Sequence, residues 1–466
     1  MTDELRDVVI IGGGPGGYVA AIRAAQLGLS VTLVEKERLG GICLNWGCIP
    51  TKALLRNAEV IQLLGEGKTF GFELEGFKAD YGLAVKRSRT VSERLVRGVG
   101  ALMRGNEVEV VEGTGRIAES GIVHVALVDG GEMRLDTRAI IVATGARARS
   151  IPGVEVDGKR VITSRHALEM QELPSSVVIV GAGPLGMEFA HVWATYGAQV
   201  TIVEMLPRLL PLEDEEVSRE IERAYKRRKI GFLTSSRVQG VEPTGSGARV
   251  TVQKKDGKTE PLEADKVLVA IGVQPNSEDL GLEDAGVRAE RGWISVDERM
   301  RTSAEGIWAI GDVTGKMPLA HVASAQGILA VEDIAGLALK PLDYGAVPGC
   351  TYCQPQVASF GLTEAEAREQ GNSVRVGTFP FRAIGKALAL GEYDGFVKLV
   401  ADETTGELLG AHLVGPEVTE LLPELVLART AELTPEEIAR SVHAHPTLSE
   451  ALMEAAHGVF GKPIHI

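Results

Sequence analysis

Two glycine-rich segments constrain the fold of this 466-residue chain more than any other feature. Each follows a run of β-branched residues and matches Gly-x-Gly-x-x-Gly. In this pattern the first glycine permits a tight turn, the second admits a pyrophosphate and the third packs a helix against a strand. At one constant offset, the glycines are Gly12, Gly14 and Gly17, then Gly181, Gly183 and Gly186. We therefore predict two dinucleotide-binding βαβ units.

A glutamate ends the second predicted strand of each unit. These residues, Glu35 and Glu204, are related by the same offset as the glycines. A carboxylate at this position can accept hydrogen bonds from the hydroxyls of an adenosine ribose. Because Glu204 would repel a 2′-phosphate, we expect NAD rather than NADP in the second unit, although Arg208 weakens that preference.

A pair of cysteines, Cys43 and Cys48, follows the first βαβ unit. In a regular helix, residues five apart have Cα atoms roughly 8 to 9 Å apart, which exceeds the roughly 7 Å limit for a disulfide. A disulfide here would need a distorted backbone, so we predict a turn around Gly47 that enters a helix at about Lys52. Two dinucleotide sites and a dithiol suggest electron transfer between a nicotinamide and a disulfide through a second redox dinucleotide such as FAD.

The composition narrows the possible partners and location. A net charge of -14 disfavours nucleic acid or an anionic membrane, because both would need a basic surface. No apolar run approaches the roughly 20 residues of a transmembrane helix, and the N-terminus does not resemble a signal peptide. We therefore expect a cytoplasmic protein.

Further segments carry a resemblance to a known family. They are Ala143-Thr144-Gly145, Glu188 after the second fingerprint, Gly311-Asp312, and the run from His443 to Glu450. With the fingerprints and the cysteine segment, they make the whole chain resemble the pyridine nucleotide-disulfide oxidoreductases, most closely the dihydrolipoamide dehydrogenase branch. The resemblance implies a homodimeric flavoprotein that oxidises protein-bound dihydrolipoyl groups through a redox-active disulfide and FAD, reducing NAD⁺ to NADH.

The same resemblance implies an α/β fold with two Rossmann-like dinucleotide-binding domains plus a C-terminal α+β dimerisation domain. We expect an FAD-binding domain over 1–150 that resumes over 273–342. An NAD-binding domain over 151–272 lies between these parts, and the dimerisation domain covers 343–466.

By the resemblance, four residues are catalytic. Cys48 is the thiol next to the flavin and makes a charge-transfer contact with it, while Cys43 exchanges with the dihydrolipoyl substrate. His445, supplied by the partner subunit, is the base, and Glu450 orients it. His443 has similar neighbours but is expected to be structural.

The resemblance also assigns cofactor contacts. Lys52 and Glu188 form an ion pair near the flavin, and Asp312 contacts the ribityl and phosphate portion of FAD. The remaining residues expected to contact FAD or NAD lie in the glycine loops and at strand ends: Gly12, Gly14, Gly17, Glu35, Thr144, Gly145, Gly181, Gly183, Gly186 and Glu204.

Several of these residues allow a simpler interpretation. Glu450 completes a capping box with Thr447, Glu188 could complement a helix dipole, and Lys52 could be a solvated charge. Cys350 and Cys353 could join the first cysteine pair around zinc. We instead expect them to be packed on one strand over Gly349 to Ser359, with no metal cofactor.

Other functions remain open at this point. One is a related disulfide reductase acting on glutathione-like or metal substrates, and another is a flavin-binding scaffold without turnover. The expected partners are lipoyl-bearing subunits of a 2-oxoacid dehydrogenase complex or of the glycine cleavage system. Val273, where the family often has arginine, and the bulky Trp46 depart from the pattern.

Overall fold

The computed structural model describes residues 5–245, 247–338 and 340–466. The strands, in chain order, are β1 (Arg6–Ile11), β2 (Val31–Glu35), β3 (Glu109–Glu119), β4 (Ile122–Leu127), β5 (Glu132–Val142), β6 (Ala146–Ala148), β7 (Val161–Ile162), β8 (Ser176–Val180), β9 (Gln199–Val203), β10 (Gly231–Leu233), β11 (Arg237–Pro243), β12 (Ala248–Gln253), β13 (Thr259–Ala264), β14 (Lys266–Val269), β15 (Val273–Pro275), β16 (Ala289–Glu290), β17 (Trp293–Ile294), β18 (Ile307–Ala309), β19 (Gly349–Thr351), β20 (Gln356–Gly361), β21 (Val374–Pro380), β22 (Phe396–Asp402) and β23 (Leu408–Gly415).

The helices connect and cover these strands. They are α1 (Pro15–Gln26), α2 (Gly41–Trp46), α3 (Cys48–Gly65), α4 (Tyr81–Gly105), α5 (Ser164–Ala167), α6 (Pro184–Tyr196), α7 (Glu215–Arg227), α8 (Ala320–Ile334), α9 (Glu364–Glu369), α10 (Gly385–Leu390), α11 (Val418–Thr430), α12 (Pro435–Arg440) and α13 (Glu450–Val459). Short 3₁₀ helices cover Gly311–Thr314, Tyr344–Ala346 and Phe381–Ala383. Among the described residues, no helix combines the length and apolar character needed to cross a bilayer.

The first sheet is built around β1. Strand β1 pairs in parallel with β2 on one side and β5 on the other, while β3 and β18 extend the parallel set. Strand β4 joins β3 to β5 by antiparallel pairing. The strands of this first sheet are rich in β-branched residues. Residues such as Val8 and Ile10 are fully buried, because helices α1 and α8 cover the sheet.

The second sheet repeats the first motif. Strands β10, β9, β8, β14 and β7 lie side by side and all pair in parallel. The register is repeated too, since Ile10 pairs with Leu33 in the first sheet and Ile179 pairs with Ile202 in the second. The offset that relates the two fingerprints in sequence therefore also relates their strand pairing.

The third sheet is antiparallel, in the order β19-β20-β23-β22-β21. Helices α11 and α13 pack on it around a core that includes Leu399 and Leu413. The predicted single strand over Gly349 to Ser359 is wrong. It is a hairpin in which Cys350 pairs with Ala358, because Pro355 has no N–H to continue a ladder and the chain turns there.

One buried lysine ties the second sheet's region to the third sheet. Lys398 of β22 is only 3% exposed in its side chain. Its Nζ lies 3.1 Å from Asp214 and 2.7 Å from Glu216 at the start of α7, and 3.0 Å from Glu364 at the start of α9. A lysine this deeply buried requires such carboxylate partners to remain charged.

Candidate active site and cofactor sites

The first glycine loop is shaped by the chain's own packing. Gly12 has a φ of +110°, which favours glycine. A Cβ atom on Gly12 would come closer than 3.0 Å to the Ala143 carbonyl oxygen, and one on Gly17 would come as close to the Gly12 carbonyl oxygen. On Gly14, the nearest described atom would be Cα of Gly41, at 4.0 Å. Only Gly14 therefore leaves space for a ligand to approach the backbone.

The second loop follows the same rule. Gly181 has a φ of +107°, and Cβ atoms on Gly181 or Gly186 would collide with carbonyl oxygens. A Cβ atom on Gly183 would meet no described heavy atom within 4 Å. Gly14 and Gly183 also cap α1 and α6, each of which begins with proline. The free amides of such helix ends favour a phosphate.

The two glutamates hold their own loops. Glu35 accepts hydrogen bonds from the backbone amides of Gly13 at 2.7 Å and Glu37 at 2.8 Å. Glu204 accepts from Ala182 and Leu206, both at 2.7 Å. An ionised carboxylate has about four acceptor positions, so each residue can fix its loop and still accept from a ribose.

A cavity of about 730 Å³ lies beside the first loop, within the roughly 300–1,000 Å³ typical of small-molecule and cofactor sites. Asp312 lines it, and burial raises the pKa of this carboxyl to about 6. The cavity brings together most of the residues predicted to hold FAD or to react with it: Gly12, Gly14, Glu35, Cys43, Cys48, Thr144, Gly145 and Asp312. Because the loop admits a pyrophosphate, these residues fit FAD.

Thr144 at the cavity wall is clamped to a distant segment. Its hydroxyl donates to the backbone oxygen of Asn276 at 2.7 Å, and the Asn276 side-chain amide donates to the Thr144 carbonyl at 3.0 Å. The clamp joins the end of β5 to the segment after β15. Nearby Val273, in β15, pairs with Ala148 and is 36% exposed, so this departure from the family pattern lies at the surface.

Trp46 and Arg165 form another part of the cavity wall. The Arg165 guanidinium stacks 3.9 Å from the centre of the Trp46 ring and pairs with Glu37. The indole N–H of Trp46 donates to Glu169 at 2.9 Å. Trp46 thus joins the dithiol segment to the region around α5.

The dithiol segment consists of two helices rather than a turn followed by a helix. Cys43 lies in α2 and Cys48 begins α3, so the predicted helix start at about Lys52 is four residues too late. The break falls at Gly47, with φ −143° and ψ −111°. This break between the helices supplies the backbone distortion that brings the two side chains together.

All four cysteines are free thiols, and those of Cys43 and Cys48 share a hydrogen bond. That bond lowers the pKa of the Cys48 thiol, as does the Lys52 charge, while burial opposes the shift. The bond and burial both raise the pKa of Cys43. When the pair loses one proton, the charge is therefore on Cys48.

The structure brings Lys52 and Glu188 together. Lys52 Nζ lies 2.9 and 3.0 Å from the two carboxylate oxygens of Glu188, which is largely buried. Lys52 is one helical turn after Cys48 on α3, and Glu188 is in α6. Both therefore act on the Cys48 thiol electrostatically.

The structure also brings His445 and Glu450 together, at 2.9 Å between Nδ1 and Oε1. Glu450 accepts from the Thr447 amide as well, at 2.8 Å, and the hydrogen bonds from Thr447 and His445 outweigh its partial burial and lower its pKa. The predicted capping box is incomplete, because the Thr447 hydroxyl donates to the Ala444 carbonyl and α13 begins after Ser449, which makes no side-chain cap hydrogen bond. The orienting role of Glu450 remains a prediction. Since an ionised carboxylate only accepts, Nδ1 of His445 is the donor in this hydrogen bond.

The histidine pair is not part of the cavity wall formed by this chain. Neither His445 nor Glu450 lines it, and the His445 side chain is 77% exposed. His443, by contrast, has its side chain 6% exposed and lies 2.8 Å from Glu424, which is consistent with a structural role.

The second cysteine pair lies in the hairpin of the third sheet. Burial raises the pKa of Cys350 to about 11 and that of Cys353 to about 12. Within the described part of the chain, no cluster of three or more His, Cys, Asp or Glu side chains is arranged to hold a metal ion. Because their raised pKa values keep them protonated, the thiols of Cys350 and Cys353 are poor nucleophiles at neutral pH.

Three site residues were not predicted from sequence. Asn276 had a weak signal, because it follows an apolar strand that ends in glycine. Arg165 and Tyr352, whose ring centre lies 4.3 Å from Lys52 Nζ, had no signal, since each contacts its partners only across a long separation in sequence.

Comparison with known protein families gives two matches. Residues 6–327 match the pyridine nucleotide-disulphide oxidoreductase model, and residues 347–456 match the dimerisation domain of the same family. The chain belongs to the pyridine nucleotide-disulphide oxidoreductase family.

Relatives within this family support the assignment. The chain is 48% identical to a dihydrolipoyl dehydrogenase of Zymomonas mobilis, covering 100% of both chains, and 51% identical to one of Mycobacterium bovis, covering 98% of this chain and 99% of that protein. Among solved structures, it resembles LpdA from Mycobacterium tuberculosis with a TM-score of 0.91 and 30% identity, covering 97% of this chain and 99% of that one. It also resembles the HOCl-induced flavoprotein disulfide reductase RclA from Escherichia coli, in its Cu(II) complex, with a TM-score of 0.87 and 27% identity, covering 97% of this chain and 99% of that one.

Membership confirms several predictions. The fold class is that of the pyridine nucleotide-disulphide oxidoreductases, the protein is an FAD-dependent oxidoreductase that uses NAD, and the C-terminal region is a dimerisation domain consistent with a homodimer. The domain boundaries and the roles of individual residues remain predictions.

Proposed function

We propose that this chain is an FAD-dependent dihydrolipoyl dehydrogenase. The observation that carries the proposal is the Cys43–Cys48 dithiol inside the cofactor cavity, with Cys48 one helical turn from Lys52 of the Lys52–Glu188 pair. Full-length relatives named dihydrolipoyl dehydrogenase support the substrate class.

The proposed reaction is a disulfide exchange followed by electron transfer. A dihydrolipoyl group gives up two electrons and two protons to the oxidised Cys43–Cys48 pair, which leaves a lipoyl disulfide and two cysteine thiols. FAD, when held beside this dithiol by the cavity that Gly12, Gly14 and Asp312 line, would supply the two-electron link between the reduced cysteine pair and NAD⁺. The sum is dihydrolipoyl plus NAD⁺ giving lipoyl, NADH and one proton.

The protein's own residues control thiolate formation. A substrate sulfur attacks Cys43 in the oxidised pair, releasing Cys48 as a thiolate. Lys52 stabilises that leaving thiolate electrostatically. His445, whose exposed side chain contacts Glu450 through Nδ1, removes the proton from the substrate thiol at Nε2, and Glu450 stabilises the imidazolium that results.

The proposed site requires two chains. His445 is exposed and lies outside the cavity of its own chain, so we assign it to the dithiol of the partner subunit. The dimerisation domain, which includes His445, supports this arrangement.

The activity is tested by lipoamide-dependent oxidation of NADH with the FAD-loaded protein. We expect Cys43→Ser to abolish turnover while FAD stays bound. Cys350→Ser is the matched control and should retain activity, because Cys350 lies outside the dithiol. Turnover of another disulfide but not lipoamide would contradict the substrate assignment.

Mixed dimers test the shared site. One subunit carries Cys43→Ser and the other His445→Gln, each with its own affinity tag. If the base comes from the partner, one of the two symmetric sites is intact and the purified mixed dimer keeps about half of the wild-type activity. An inactive mixed dimer would place both groups in one chain.

The lipoyl group itself is carried by a partner protein. We propose a lipoyl-bearing subunit of a 2-oxoacid dehydrogenase complex or of the glycine cleavage system. Reduction of NAD⁺ with each purified, dihydrolipoylated carrier would identify the partner by its specificity constant.

A further inference from the structure

One aromatic residue of the third sheet contacts both members of the ion pair beside the thiols. Tyr352 follows β19 and is half-buried. Its backbone N–H donates to Oε1 of Glu188 at 3.0 Å, and Lys52 Nζ lies 4.3 Å from the centre of its ring. The first contact uses the backbone and the second uses the side chain, so a substitution can remove one and keep the other.

The ammonium of Lys52 is therefore held from two directions. Glu188 binds it with both carboxylate oxygens, and the ring of Tyr352 presents its negative face. The three residues come from different parts of the fold, since Lys52 is in α3, Glu188 in α6 and Tyr352 next to β19.

We propose that Tyr352 is a positioning residue that holds Lys52 and Glu188 in the arrangement through which they act on Cys48. This inference rests on the proposed function for the role of Cys48 as the inner thiol. It does not depend on lipoyl groups being the substrate.

The arrangement matters because the two charges oppose each other at Cys48. Lys52 favours the thiolate and Glu188 disfavours it. The other titratable group that acts strongly on Cys48 is Cys43, which hydrogen-bonds to it. A shift of Lys52 relative to Glu188 therefore changes the ionisation of Cys48 even when every charge remains present.

Tyr352 contributes its ring and not a charge. Burial raises the pKa of its phenol, with Cys350, Glu188 and Glu420 nearby acting in the same direction. The hydroxyl is hydrogen-bonded to Cys350. The phenol is therefore neutral at physiological pH, and removing the hydroxyl alone should leave the contact with Lys52 in place.

The test measures the ionisation of Cys48 in FAD-loaded protein carrying Cys43→Ser. The visible absorbance of the bound flavin is followed against pH, because the adjacent thiolate perturbs it. We expect Tyr352→Leu to raise the pH midpoint of this absorbance change by about half a unit. Without the ring, Lys52 is held less firmly beside Cys48 and favours its thiolate less, and a cation–π contact contributes less than one full pKa unit. Tyr352→Phe, which keeps the ring, should shift the midpoint much less.

Two further variants show how large and how specific the shift in the midpoint is. Lys52→Met removes the charge and should raise the midpoint by about one unit or more. Phe232→Leu is the matched control, because Phe232 lies 5.3 Å from Lys226 in a similar contact elsewhere, and it should not shift the midpoint. If Tyr352→Leu does not load FAD, Tyr352→Met replaces it, filling the space without an aromatic face.

The inference is overturned if the ring-less variants leave the midpoint unchanged while Lys52→Met shifts it. It is also overturned if Tyr352→Phe shifts the midpoint as much as Tyr352→Leu, because the hydroxyl and not the ring would then be responsible. Lack of lipoamide turnover in the wild type would contradict the proposed function alone, since the titration requires no lipoyl substrate.

Discussion

The two glycine loops have similar backbones but different surroundings. Gly12 and Gly181 have nearly equal φ values, +110° and +107°, and each loop is fixed by a glutamate that ends the next strand. Around the first loop, the dithiol helix α2 approaches so closely that a Cβ atom on Gly41 would lie 2.8 Å from Cα of Gly14. Around Gly183 no described heavy atom comes that close.

This difference shows which part of the molecule determines each function. The loop backbone provides a place for a pyrophosphate in both halves. The surrounding elements determine whether the nucleotide is enclosed, as expected for FAD, or can enter and leave, as required for NAD. The first loop shares its cavity with Arg165 and the thiols, whereas the second faces open space.

The largest expected effect comes from adding one carbon atom to the enclosed loop. We expect Gly17→Ala to abolish FAD loading, because the new Cβ would overlap the Gly12 carbonyl oxygen. Gly183→Ala should leave the flavin in place and weaken NAD⁺, by about tenfold for a loss near 1.4 kcal/mol. Flavin content and KM for NAD⁺ measure the two effects. Gly98→Ala, in open space on α4, is the control.

A pH-dependent effect is expected at Asp312, which lines the cavity beside the first loop. Its pKa is raised to about 6 by burial, so the folded state favours the protonated form. The resulting stabilisation, about 3 kcal/mol in full, is present below the unfolded pKa near 3.9 and is lost as the pH rises through about 6.

Urea unfolding of FAD-free protein at several pH values tests this effect. From pH 5 to 7.5, the wild type should lose about 1.5 kcal/mol of unfolding free energy relative to Asp312→Asn. Parallel stability curves for the two proteins would show that Asp312 keeps an ordinary pKa.

A smaller effect is expected when the charge on Glu204 is removed. Glu204→Gln keeps an oxygen that can accept from the Ala182 amide, but it no longer repels a 2′-phosphate. We expect the preference for NAD⁺ over NADP⁺ to fall by about tenfold, as for the loss of roughly 1.4 kcal/mol. The ratio of the two kcat/KM values is the measurement. Glu35→Gln should leave that ratio unchanged, because Glu35 lines the cavity expected to hold FAD.

The smallest expected effect tests how the FAD cavity is enclosed. Arg165→Ala removes the stacking on Trp46 and the pair with Glu37, so bound FAD should dissociate a few times faster, in line with losing roughly 1 kcal/mol. Arg149→Ala, an exposed arginine that does not line the cavity, is the control. Equal dissociation rates would mean that α2 alone encloses the flavin.

Sequence was sufficient where the constraint is local. The turn at Gly12, the close packing at Gly17 and the glutamate at the end of β2 fall within one βαβ unit, so their spacing predicts their geometry. The dithiol segment was only partly predictable. Gly47 marked the distortion correctly, but the helix start was placed late because α2 and α3 flank the break closely.

Sequence was insufficient where distant segments meet. Lys52 contacts the ring of Tyr352 although the residues belong to the first and last parts of the chain, and Arg165 stacks on Trp46 although the two residues lie far apart in the sequence. The apolar run around Pro355 predicts a single strand, whereas the chain turns there and forms a hairpin. Such contacts depend on how the sheets pack together, and no local pattern encodes that packing.

The shared use of Glu450 limits how this enzyme can diversify. One carboxylate accepts hydrogen bonds both from the amide of Thr447, near the start of α13, and from His445, the proposed base. A substitution of Glu450 that changes the basicity of His445 would therefore also remove the hydrogen bond that holds the backbone at Thr447. In a directed-evolution experiment for altered pH optimum, we expect successful variants to retain Glu450 and to change charges in the neighbouring subunit instead.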